Sequence, residues 1–140
     1  MVLRSILAVL VAGLPLGGCG DDAGSAAPEV DARFVVGWSE ADHDRGLLER
    51  VGQPDRTIET PAELDELLQS AAPELDVGAL RDVDLDEVVI VVGSYPRCDQ
   101  TSSVEVVDGE LRFVVVEAED PVECAWAPLQ VDVWSVARDG

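Results

Sequence analysis

The chain has 140 residues, with 29 acidic side chains against 9 basic ones and a formal net charge of −20. A surface this acidic repels nucleic-acid phosphates and anionic lipid headgroups, which excludes nucleic acid as a partner. The length suits one domain with a modest core and not two. All the basic residues are Arg, which we read as the imprint of a GC-rich genome without functional weight.

A free amine and Arg4 precede the apolar run of residues 5–14, after which Pro15 and small residues lead to Cys19. That three-part order predicts an export signal. A membrane-spanning helix needs about 20 apolar residues, and Pro15, the glycines and the following "GDD" interrupt well before that length, so no permanent span is expected. Leu16-Gly17-Gly18-Cys19 resembles the lipobox of bacterial lipoproteins, in which a large aliphatic residue and two small ones precede a cysteine. Small residues let the backbone enter a protease cleft, and only a thiol can carry diacylglycerol as a thioether. The resemblance implies that residues 1–18 are a signal peptide, that the cut falls before Cys19, and that lipid on Cys19 fastens the protein to a membrane on the extracytoplasmic side of the cell envelope. Each buried methylene contributes roughly 0.8 kcal/mol, so two acyl chains hold stably where one does not.

Removal of the signal leaves 122 residues with 8 basic and 29 acidic side chains, a formal charge of −21. Residues 19–32 continue as "CGDDAGSAAPEVDA", small and acidic without apolar periodicity, and read as a lipidated, disordered tether; residues 33–140 read as a single globular domain. With Cys19 carrying lipid, Cys98 and Cys124 are an even pair in an oxidising compartment, which predicts a disulfide.

Residues 33–39, "RFVVGWS", predict a first strand from the β-formers Phe34, Val35, Val36 and Trp38. Polar, turn-rich sequence follows at 40–46 and again at 51–55, with 47–51 between them as a short strand or a helical turn. Thr60-Pro61-Ala62-Glu63 supplies a cap, a proline suited to the first helical position and the acid of a capping box. Leu64, Leu67, Leu68 and Ala71 then fall on one stripe, so a helix runs to the stop at Pro73 and packs on a sheet. Residues 87–93, "EVVIVVG", are too short for a buried helix and rich in β-branched residues, predicting a central strand covered on both faces. Residues 103–107 and 111–117 flank Asp108-Gly109, a type I′ hairpin dipeptide. Residues 130–138 predict a last strand, with Val131 and Val133 on one face and Trp134 and Val136 on the other.

This order predicts an α+β fold: a mainly antiparallel sheet of about five strands with one covering helix, tied by a disulfide between the loops that flank the hairpin. Over residues 60–136 the layout of a helix, then "DVDLDEVVIVVG" and a closing meander, is similar to the small β-rich accessory domains of bacterial envelope proteins, such as the C-terminal domain of the protease-complex subunit PrcB. That resemblance implies an accessory or binding role rather than catalysis, and it brings no functional residue with it.

Asp82, Asp84 and Asp86 in "DVDLDE" are spaced like the first half of an EF-hand loop, but Glu87 stands where the turn glycine belongs and Gly93 where the bidentate acid belongs. The simpler account is a solvated approach to the strand with Val83 and Leu85 inward; a weak calcium site, and with it a calcium-responsive surface protein, is the alternative. His43, the only histidine, lies between Asp42 and Asp44 and could serve a hydrolase only with a nucleophile such as Ser39, without any local signature for one. Acids are so numerous that a glycosidase-like pairing such as Glu117 with Glu123 singles out nothing. The disulfide would place Tyr95, Arg97 and Trp126 on one constrained rim, and these are residue types favoured at interface hot spots. The sequence therefore predicts a lipid-anchored, non-catalytic acidic domain that binds an envelope protein or a small ligand, with no cofactor.

Overall fold

A computed structural model describes residues 28–138. The expected signal peptide, Cys19 and most of the expected tether lie outside the described residues. The chain order is β1 (Ala32–Ser39), α1 (Arg45–Gly52), β2 (Arg56–Ile58), α2 (Pro61–Ala71), α3 (Gly78–Arg81), β3 (Val88–Pro96), β4 (Thr101–Val107), β5 (Glu110–Val116) and β6 (Leu129–Ala137). The strands form two sheets, one of four in the order β1-β6-β3-β2 and one made of the β4-β5 hairpin, and every pairing is antiparallel.

The α+β class is as expected, with three adjustments. Among the described residues the strands number six rather than about five, because β2 spans only three residues and leaves no periodicity to read. Among the same residues the helices number three rather than one, because α1 and α3 span eight and four residues, too few for a stripe. The hairpin does not extend the main sheet; it lies on one face of it as a separate layer. The first strand begins at Ala32, one residue before the expected start, and the Ala137 amide donates to the Asp31 carbonyl at 3.0 Å.

The central strand β3 explains the layering. Its residues 89–93 are all buried, with Ile90 and Val92 in the core under the helices and Val91 in the smaller cluster under the hairpin. The helix side holds most of the apolar mass: Leu47, Leu48 and Val51 of α1 and Leu64, Leu67 and Ala71 of α2 meet Val131 and Val133 of β6. Both helices are capped as their first residues dictate. The Asp44 carboxylate accepts the Leu47 amide at 3.0 Å, and Thr60 and Glu63 form the reciprocal capping box. On the other face the cluster is thinner, with Val91, Val104 and Val136 at its centre and Leu111, Phe113 and Trp134 partly buried around them. A β-carbon at Gly93 would overlap the Phe113 ring, so the bare backbone of β3 is what lets the hairpin seat there. The hairpin turns at Asp108 and Gly109, whose φ values of 53° and 82° are those of a type I′ turn.

The cysteines at the hairpin's base are bonded, Cys98 to Cys124, with Cα atoms 6.0 Å apart. At the opposite end of the sheet the Arg138 guanidinium donates to the carbonyls of Leu85, Glu59 and Val88 at 2.9, 3.0 and 3.3 Å, tying the end of β6 to the turns before β3 and α2.

Candidate functional site

Along β6 the face that meets the hairpin carries Gln130, Asp132, Trp134 and Val136. Asp132 is the anomaly, a carboxylate only 5% exposed in the middle of a strand paired on both edges. Its Oδ2 accepts the Tyr95 hydroxyl at 2.9 Å and the Ser102 hydroxyl at 2.6 Å, and its Oδ1 accepts the Gln130 amide at 2.7 Å. The Trp134 indole N–H donates to the Ser102 oxygen at 3.0 Å. An indole can only donate and an ionised carboxylate can only accept, so Ser102 passes one direction of hydrogen bonding from Trp134 to Asp132. Three strands thus supply one network: Tyr95 from β3, Ser102 from β4, and Gln130, Asp132 and Trp134 from β6.

The network is the floor of an open hollow of about 380 Å³, lined by Phe34, Tyr95, Arg97, Thr101, Ser102, Asp132 and Trp134. It lies where the edge strand β1 and the hairpin strand β4 stand apart over β6. Phe34 is 54% exposed and meets the Trp134 ring edge to face, with centroids 5.6 Å apart. A β-bulge between Phe34 and Val36 puts it there. Phe34 pairs with Trp134 on the hairpin face, whereas Trp38, four residues on and of the same parity, pairs with Val131 and enters the core beneath the helices. Gly37 lies opposite Asp132, where a β-carbon would stand 2.6 Å from Asp132 Oδ1, 2.7 Å from Gln130 Nε2 and 3.0 Å from the Phe34 ring, so the bare backbone lets these three side chains close over β1.

Burial, foremost, together with the charge and hydrogen bond of Asp132, raises the Tyr95 phenol to about 12; Arg97 offsets part of this. Tyr95 is therefore a proton donor at neutral pH and not a base. It is the only tyrosine in the chain, so an absorbance titration reads it alone. The expected result is phenolate formation near pH 12 in the native protein and near pH 10 after denaturation. The native state favours the neutral phenol, so this contribution to stability is complete below about pH 10 and is lost as the pH rises through 12. A native midpoint near 10 would mean that Tyr95 is solvated and the network absent.

Tyr95 consequently leaves the rim on which it was expected with Arg97 and Trp126. β3 runs on to Pro96, past the expected end at Gly93, and the pleat carries Tyr95 inward, where it is 3% exposed and its ring centroid lies 6.0 Å from that of Phe113. Arg97 and Trp126 are both exposed, at 59% for Trp126, but only Arg97 lines the hollow. Sequence reasoning missed Asp132, Ser102, Gln130 and the placement of Phe34. One signal was available: Asp132 interrupts the apolar face that Trp134 and Val136 share in an alternating strand.

The other candidates stand apart from this hollow. Asp82, Asp84 and Asp86 are exposed in the turns before β3, with Val83 and Leu85 partly buried between them, and Asp84 Oδ1 caps its own turn by accepting the Asp86 amide at 2.9 Å. Among the described residues no three His, Cys, Asp or Glu side chains converge as metal ligands. Ser39 and His43 share a turn in which the Ser39 hydroxyl oxygen accepts the Ala41 amide at 3.2 Å and the His43 amide donates to the Ser39 carbonyl at 3.1 Å. Glu117 accepts the Gln100 amide at 3.2 Å at the base of the hairpin, while Glu123 is exposed in the loop beyond.

No protein-family model, no curated protein and no solved structure matches the chain.

Proposed function

We propose that the protein is a bacterial envelope lipoprotein, held to a membrane through lipid on Cys19, whose domain is a non-catalytic binding module with its ligand site in the hollow above Asp132. The observation that carries the binding reading is the network itself. Asp132, Ser102, Tyr95, Gln130 and Trp134 satisfy one another and fix a polar floor beneath the aromatic wall of Phe34 and Trp134. A rigid apolar wall with a few convergent polar groups is what small-molecule sites are made of. The network offers fixed donors and acceptors: the Ser102 hydroxyl is held between a carboxylate and an indole, and Tyr95 keeps its proton at neutral pH.

The site is tested by screening small polar and amphipathic molecules against the isotope-labelled full-length protein in detergent micelles. Binding should shift the amides of Thr101 and Ser102 and the Trp134 indole N–H. Shifts confined to other surfaces would overturn the assignment of the hollow.

The anchor is tested separately, since it rests on Leu16-Gly17-Gly18-Cys19. Cys19→Ser should abolish partitioning into the detergent phase and leave uncleaved precursor, because serine offers no thiol for the lipid. Unchanged partitioning and processing would overturn the lipoprotein reading while leaving the hollow untouched.

A further inference from the structure

Two opposite charges line the hollow and leave each other unpaired. Among the described residues the ion pairs join Arg33 to Asp31, Arg45 to Glu40 and Glu49, and Arg112 to Glu110, and neither Arg97 nor Asp132 takes part in one. Asp132 is held by neutral donors alone, although a carboxylate so enclosed gains most from a cation. Its Oδ2 already accepts two hydrogen bonds and its Oδ1 only one, so Oδ1 keeps an acceptor position.

Each charge rejects one simple class of ligand. A plain amine would suit Asp132 and the aromatic faces of Phe34 and Trp134, but it would meet Arg97 across the hollow. A plain carboxylate would suit the planar fork of Arg97, but it would meet Asp132 and a domain that is strongly acidic throughout. A compact molecule bearing both charges satisfies both residues. The remaining wall, Phe34 and Trp134, is apolar, and about 380 Å³ is room for a ligand of that size.

From this unpaired juxtaposition we infer that the hollow takes a zwitterionic α-amino acid with an apolar side chain, its ammonium group on Asp132, its carboxylate on Arg97 and its side chain against Phe34 and Trp134. The inference rests on the binding-module reading and adds the class of ligand to it.

Isothermal titration of the full-length protein in detergent micelles with three probes tests it: L-phenylalanine, L-phenylalaninamide, which keeps the ammonium but lacks the carboxylate, and 3-phenylpropionate, which keeps the carboxylate but lacks the ammonium. L-Phenylalanine should bind saturably at one site, with each analogue at least ten-fold weaker. Arg97→Ala changes an exposed side chain and should leave the unfolding midpoint unchanged, yet it should erase the preference for L-phenylalanine over its amide. Asp132→Asn, a near-isosteric change, should erase the preference over 3-phenylpropionate. No saturable heat with L-phenylalanine, or a preference over the amide that survives Arg97→Ala, would overturn the inference. If one of the analogues binds in its place and shifts the Trp134 indole signal, the ligand class is wrong and the binding site stands. If none of the three shifts that signal, the amino-acid inference falls, and the wider screen decides the site.

Discussion

Asp132→Ala is expected to lower the unfolding free energy by about 3 kcal/mol, measured by urea denaturation at pH 7. Two opposing effects set that figure. The substitution relieves the domain of a carboxylate that is only 5% exposed, and removal of an enclosed charge is by itself favourable. Against this, the Tyr95 hydroxyl, the Ser102 hydroxyl and the Gln130 amide all lose their acceptor, and each buried donor left without a partner costs about 1–3 kcal/mol. The orphaned donors win because there are three of them and only one carboxylate. Asp132→Asn, which keeps one acceptor oxygen, should cost less than Asp132→Ala. Tyr95→Phe removes a single hydrogen bond to a charged group and should cost about 1.5–3 kcal/mol. Equal stability of the Asp132→Ala variant and the wild-type protein would mean that the network contributes nothing and that Asp132 is solvated through the hollow.

Reduction of Cys98–Cys124 should lower the unfolding free energy by about 3.5 kcal/mol on the chain-entropy account, a closed loop of this length being a large constraint on the unfolded chain. The two cysteines stand 26 residues apart and enclose the whole β4-β5 hairpin, so the loss has a local signature as well. The hairpin sits on the thinner of the two apolar clusters, and its base is held by polar contacts: the Val122 amide to Asp99 at 2.8 Å, the Cys98 amide to Gln100 at 2.9 Å and Gln100 to Glu117 at 3.2 Å. Hydrogen exchange should therefore accelerate in β4 and β5 before it does in β3 or β6. Because Phe113 of β5 packs against Tyr95, reduction should also admit water to the Tyr95 ring and bring its ionisation closer to pH 10. Unchanged stability after complete reduction, with linkage confirmed beforehand by non-reducing peptide mapping, would contradict this account.

The parts of the fold that could be read from the sequence are those with a short-range physical cause. Thr60, Pro61 and Glu63 begin α2 because capping joins atoms within one turn, and Leu64, Leu67 and Ala71 name its buried face because helical spacing does. Asp108-Gly109 turns the hairpin because the two φ values it needs are local. "VVIVV" is a covered strand because no other element of that length buries every side chain. Cys98 and Cys124 pair in the structure, as the sequence reading expected.

What the tertiary structure alone decided is which faces meet. Whether the hairpin prolongs the main sheet or lies across it depends on Phe113 seating over the bare backbone of Gly93, a contact twenty residues distant along the chain. In β1, alternation assigns Phe34 and Trp38 to the same face; one extra residue in the pairing with β6 separates them, so that Trp38 enters the helix-side core and Phe34 overhangs the hollow. Tyr95 reads as a loop residue until β6 is in place beside β3, and only then does its hydroxyl reach Asp132. Apart from the Gln130–Asp132 hydrogen bond, the candidate site is made of such long-range pairings. By itself the sequence determined the class of fold, its helix, its hairpin and its disulfide, because each of these follows from neighbours along the chain or from thiol chemistry. The hollow waited for the tertiary structure, because Phe34, Tyr95, Arg97, Ser102 and Asp132 come from separate parts of the chain and acquire a common chemistry only when packing brings them to one place.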